Sequence, residues 1–96
     1  MRLNCDKFLF SAHALKVMFE RNIQAGDVLD TIKNGTLIKE YENDKPYPSS
    51  IYLKFVNERP IHVLVAQNSM DNVCIIVTCY EPDELLWDIN FKNKIK

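Results

Sequence analysis

The sequence predicts an α+β fold: two N-terminal helices packed on a four-stranded, mainly antiparallel sheet, followed by a short C-terminal segment. Three observations predict it. Apolar residues recur at helical spacing between Ser11 and Asn34, and from Thr36 onward the period changes to strand-like alternation. The later apolar stretches are joined by turns too short for a crossover, so neighbouring strands must run antiparallel. With 96 residues, the chain reads as one domain over residues 1–96 with one modest core.

Ser11 is a natural N-cap for the first helix, since its side-chain oxygen can accept from a free amide of the first turn. On a wheel of about 100° per residue, Ala14, Leu15, Met18 and Phe19 fall on one side, and His13, Lys16 and Glu20 form the opposite stripe. Arg21 projects near Ala14 and Val17, so its stem is expected to be covered and its guanidinium held. A second helix is expected from about Ala25 to Asn34, with Ala25, Val28, Leu29 and Ile32 inward and Gly35 as its stop.

Strands are expected near Leu37 to Tyr41, Ile51 to Val56, Ile61 to Ala66 and Val73 to Tyr80, with Pro46 and Pro48 in the loop after the first. The last two are apolar on both faces, as strands covered from both sides must be. Trp87 and Phe91 are expected to pin the segment after Pro82 back onto the body.

A hydrophobic fraction of 47% and a charged fraction of 26% are those of an ordinary globular domain. No apolar run approaches the ~20 residues of a membrane span, and no leader is recognisable at Met1. Cys5, Cys74 and Cys79 are odd in number and lack metal-like spacing, so neither a disulfide framework nor a metal site is expected, and a reducing cytoplasm is the expected location. The net charge of -1 weighs against nonspecific nucleic-acid binding, so any polyanion site must be local. Glu40, Glu42 and Asp44 cluster in one loop, Glu81, Asp83, Glu84 and Asp88 in another, and Lys92, Lys94 and Lys96 in the tail.

Closing the last hairpin with Gln67 opposite Val73 sets His62 across from Thr78, with Tyr80 diagonal to it. A histidine, a hydroxyl and a phenol then share one patch of sheet. Cutting RNA without a metal needs a base for the 2′-hydroxyl, an acid for the departing 5′-oxygen and a cation for the charge on phosphorus. His62 can be base or acid, and His13 or Tyr80 can supply the second proton. Arg21 can make a bidentate phosphate contact, with Lys16 and Arg59 adding charge. The plain alternatives are a satisfied interior histidine for His62, an exposed helix residue for His13 and an ion pair with Asp27 for Arg21. Gly26 and Gly35 are the only glycines, so no phosphate-cradling loop exists and no cofactor is expected.

The sequences Phe10-Ser11-x-His13-Ala14 with Met18 and Arg21, Asp27-Val28, Gly35, Arg59-Pro60-x-His62-Val63 and Val77-Thr78-x-Tyr80-Glu81-Pro82 resemble the family known as domain of unknown function 4258. That family is grouped by similarity with RelE-like toxins. The resemblance implies a fold like the RelE and barnase-type ribonucleases and a toxin that cuts RNA without metal, free or ribosome-associated. It also implies a small antitoxin partner, often similar to zinc-finger helix-turn-helix proteins. Carried over by position, the recurring polar residues are His13, Arg21, His62, Thr78 and Tyr80. Two positions depart from the pattern: Val17 stands where look-alikes are often polar or basic, and Gln24 replaces the usual Ser or Thr cap.

Two functions compete on this reading. The first is a metal-independent endoribonuclease toxin. The second is a noncatalytic module that binds a partner protein through the sheet edge near Leu37 to Tyr41 or through its acidic loops.

Overall fold

A computed structural model describes residue 3 and residues 5–94. The elements run β1 (Lys7–Phe10), α1 (Ala12–Arg21), α2 (Ala25–Asn34), β2 (Thr36–Tyr41), β3 (Ser49–Val56), β4 (Arg59–Asn68) and β5 (Val73–Tyr80). They build an α+β fold of two helices and one mixed five-stranded sheet of order β1-β5-β4-β3-β2.

The unexpected strand is β1, which lies parallel to β5 with Lys7 opposite Val73 and Phe10 opposite Ile76. Its four residues are too few to show a period, and its partner is far away in sequence. Ser11 then turns the chain into α1. Its amide donates to the Ile76 carbonyl, its hydroxyl donates to the Val77 carbonyl at 2.8 Å, and the same oxygen accepts from the Ala14 amide at 3.0 Å. The expected N-cap is therefore also the tie between helix and sheet.

Helix α1 packs on β5, and α2 packs on β3 and β4. Ala14, Met18, Val28 and Ile32 meet Ile61, Val63, Val65, Cys74, Ile76 and Cys79 in the core. Odd-numbered residues of β4 thus face the helices, and even-numbered ones face the opposite side. The predicted inward arc of α1 needs correction, because Leu15 is 52% exposed and Phe19 is 89% exposed. Short α1 buries a narrow stripe, Ala14 and Met18, and Arg21 beyond it is exposed rather than covered.

At the start of α2 the Gln24 amide donates to Asp27 Oδ2 at 3.3 Å, so Asp27 serves the helix start. Gly35 ends α2 with an extended backbone, φ -82° and ψ -176°. What demands glycine there is space: a Cβ would stand 2.3 Å from the Thr31 carbonyl oxygen and 2.5 Å from that of Leu53.

The expectation of free thiols is also corrected. Cys5 and Cys74 form a disulfide with Cα atoms 5.5 Å apart, which is ordinary for such a bond, and Cys79 remains a buried free thiol. Parallel pairing of β1 with β5 brings the two cysteines together, and that pairing was not visible in the sequence. None of the described helices is long and apolar enough to cross a membrane.

Candidate functional site

The β4–β5 register differs from the expected one. His62 pairs with Tyr80 and Leu64 with Thr78, and a bulge between Leu64 and Val65 shifts the remaining pairs, so that Gln67 faces Cys74. A bulge inserts one residue and displaces every pairing beyond it. Tyr80 is therefore the direct cross-strand neighbour of His62, and Thr78 sits one rung away on the same face.

His62 is fully buried. On the helix-free face it lies under the C-terminal segment, whose Trp87 ring stands edge-on to the imidazole with centroids 4.4 Å apart. His62 Nε2 lies 2.7 Å from the Phe91 carbonyl oxygen, and Nδ1 lies 3.3 Å from the Tyr80 hydroxyl. A carbonyl only accepts, so Nε2 carries the hydrogen, and in the neutral ring Nδ1 accepts from the phenol. Burial holds the imidazole below its ordinary pKa, opposed by the Phe91 carbonyl. Burial likewise raises Tyr80, and the neighbouring Tyr41 phenol raises it further. At neutral pH this is an uncharged hydrogen-bonded pair.

The segment that seals His62 is organised by its own acids. Asp83 accepts from the Leu85 amide at 2.8 Å, and Asp88 Oδ1 accepts from the amides of Asn90 and Lys92 at 3.1 Å each. Phe91 adopts a left-handed backbone, φ 58°, which is costly for a residue with a Cβ. That turn packs its ring edge-on to Phe55 while its carbonyl meets His62. The predicted pinning by Trp87 and Phe91 is what the fold uses.

Tyr80 is half-buried and lines a cleft of about 410 Å³ between β2 and the C-terminal segment. Lys39, Tyr41, Trp87, Lys92 and Lys94 stand around it, and Lys39 Nζ lies 5.4 Å from the Tyr41 ring centroid. Three lysines and two tyrosines thus line one cleft in a chain whose net charge is -1. Lys96, grouped with Lys92 and Lys94 in the sequence, lies outside the described residues.

The other expected site residues lie elsewhere. His13, Lys16 and Arg21 are exposed on α1, on the helix side of the sheet, with the sheet itself between them and His62. Arg59 is occupied: Nη1 donates to the Asn22 carbonyl at 3.1 Å, Nη2 donates to the Arg21 carbonyl, and Nε donates to Glu81 Oε1 at 2.9 Å. It neutralises the carbonyl end of α1 and joins it to the end of β5. Of the seven expected positions, the structure brings His62, Thr78 and Tyr80 onto one face and leaves His13, Lys16, Arg21 and Arg59 apart from it. Sequence reading missed Lys39 and Tyr41 as site residues. Their alternation in β2 marks two residues on one face, but nothing local says that the face meets Tyr80.

No curated protein and no solved structure shows significant similarity to the chain. The family model described as domain of unknown function DUF4258 matches residues 10–81, which span α1 to the end of β5 and include His62 and Tyr80, and the chain belongs to that family.

Proposed function

We propose that this protein is an RNA-directed toxin of the RelE-like kind, a metal-independent endoribonuclease whose working site is the cleft beside Tyr80. The observation that carries the reading is the pairing of a sealed, neutral His62 with a Tyr80 that lines a lysine-rimmed cleft. Lys39, Lys92 and Lys94 supply charge for phosphates, the part that Arg21, Lys16 and Arg59 were expected to play.

In this mechanism the Tyr80 oxygen takes the proton of the RNA 2′-hydroxyl as its own proton passes to His62 Nδ1. The 2′-oxygen bonds to phosphorus, and the bond from phosphorus to the 5′-oxygen breaks. His62, held below its ordinary pKa by burial, is a strong acid once charged and returns the proton through Tyr80 to the leaving 5′-oxygen. The products are a 2′,3′-cyclic phosphate and a 5′-hydroxyl. The Phe91 carbonyl keeps Nε2 protonated throughout, so Nδ1 is the nitrogen that exchanges.

The partner in this reading is a small antitoxin that covers the cleft, adding to the neighbouring edge strand β2. A fluorogenic RNA assay with chelator present tests the catalytic claim. Tyr80→Phe and His62→Gln are expected to lower cleavage by at least about a hundredfold while RNA binding persists. Full cleavage by folded Tyr80→Phe would refute the mechanism.

A noncatalytic protein-binding module is the second reading. It is favoured by the burial of His62 and by its separation from the cations of α1. A protein partner bound through β2, with no cleavage of any RNA by the wild type, is the result that would select it.

A further inference from the structure

We propose that the cleft holds one unpaired nucleotide of single-stranded RNA, its base stacked on Tyr41 and its phosphates on the side of Lys39, Lys92 and Lys94. The inference rests on the RNA-directed reading above and adds the form of the substrate. Three observations carry it.

Tyr41, the last residue of β2, is 37% exposed and lines the same cleft as Tyr80. A base on Tyr41 therefore brings its ribose near the Tyr80–His62 pair. The space of about 410 Å³ has the size of a small-ligand pocket. A duplex keeps its bases stacked inward and offers none to an aromatic ring, whereas a single strand can splay one out.

Charge then sets the direction of the strand. Tyr41 also lines a second hollow, together with Glu40, Glu42 and Asp44. Carboxylates there repel a phosphate, so the backbone must run along the lysine side and leave the ring for the base. Lys39, whose ammonium stands over the Tyr41 ring 5.4 Å from its centroid, gives up that ring to the base and turns to its phosphate. Stacking of this kind reads a base without reading its identity.

The test is a binding titration by fluorescence anisotropy on the whole chain. The probes are an oligoadenylate, an abasic oligomer of the same length and a duplex of that length. The wild type is expected to bind the oligoadenylate about tenfold more tightly than the abasic strand, and the duplex more weakly than the oligoadenylate. Tyr41→Ala should erase the difference between base-bearing and abasic strands while the salt dependence stays. Tyr41→Phe, which keeps the ring, should preserve it. Lys39→Ala should weaken both single strands together and flatten the salt dependence. Equal affinity of the wild type for base-bearing and abasic strands would overturn the stacking inference and leave an electrostatic RNA site standing. Tighter binding of the duplex would overturn it as well. No binding of any of the three would sink the RNA-directed reading itself.

Discussion

Breaking the bond between Cys5 and Cys74 should be the largest single covalent perturbation available in this protein. The bridge joins positions separated by 69 in sequence. In the chain-entropy account, closing a loop of that length removes about 4 kcal/mol of freedom from the unfolded chain. Residual structure in the unfolded state lowers the figure, so about 3–4 kcal/mol is expected. Cys5 is the residue to change, because it is half-buried whereas Cys74 is fully buried in the core. A serine at position 74 would add the cost of an unsatisfied hydroxyl.

Urea unfolding followed by the fluorescence of Trp87 is the assay, comparing the oxidised wild type with Cys5→Ala. Small proteins lose about 1–1.5 kcal/mol of stability per molar urea at the low end of their range, which places the midpoints about 2–4 M apart. A local signature should accompany the shift. Amides of Lys7–Phe10 should exchange faster in the variant, since β1 is then held by its ladder with β5 and by the Asn72 carbonyl, to which the Asp6 amide donates at 2.7 Å. Coincident unfolding curves, or quantitative alkylation of Cys5 in the native protein without reductant, would refute the reasoning.

Four further outcomes follow from the same geometry. His62 is held below its ordinary pKa by burial, so the unfolded chain takes up a proton that the native protein refuses. Stability should therefore be full above about pH 6.5 and fall as pH drops through the native pKa, and His62→Gln should flatten that fall in acid-unfolding curves. The Cys79 thiol is pushed up to about 11 by burial and should resist iodoacetamide at pH 8 until the protein unfolds, as read by mass spectrometry. Arg59→Ala should cost about 1–2 kcal/mol in chemical denaturation by uncovering the α1 carbonyls, without changing RNA affinity. Gly35→Ala should cost more than about 2 kcal/mol, measured the same way, because its methyl would collide with two backbone carbonyls.

The sequence by itself determined the features that local chemistry writes. The cap at Ser11, the stop at Gly35, the switch of period at Thr36 and the hairpin turns set two helices and four of the five strands within a few residues of their observed ends. The doubly apolar character of the last two strands announced a second cover, and Trp87 and Phe91 provide it. Tertiary structure alone decided the rest. A four-residue strand has no readable period, so β1 and the disulfide it enables depend on pairing with β5.

The hairpin closes with Asn68 rather than Gln67 opposite Val73, and the bulge adds a second one-residue shift; together they replace Thr78 by Tyr80 as the neighbour of His62, since a shift of register carries no mark in composition. Arg21 and His62 share a polar chemistry that invites joining them in one site. A sheet keeps them apart, because the face of a strand depends on the parity of a position and the register of its neighbours. The lysines and tyrosine that do surround Tyr80 come from β2 and from the C-terminal segment. Their convergence is a property of strand order and of where the folded-back tail lands: the sequence announces that the tail folds back, but which residues of β2 it meets is set by long-range pairing that no local run of residues encodes.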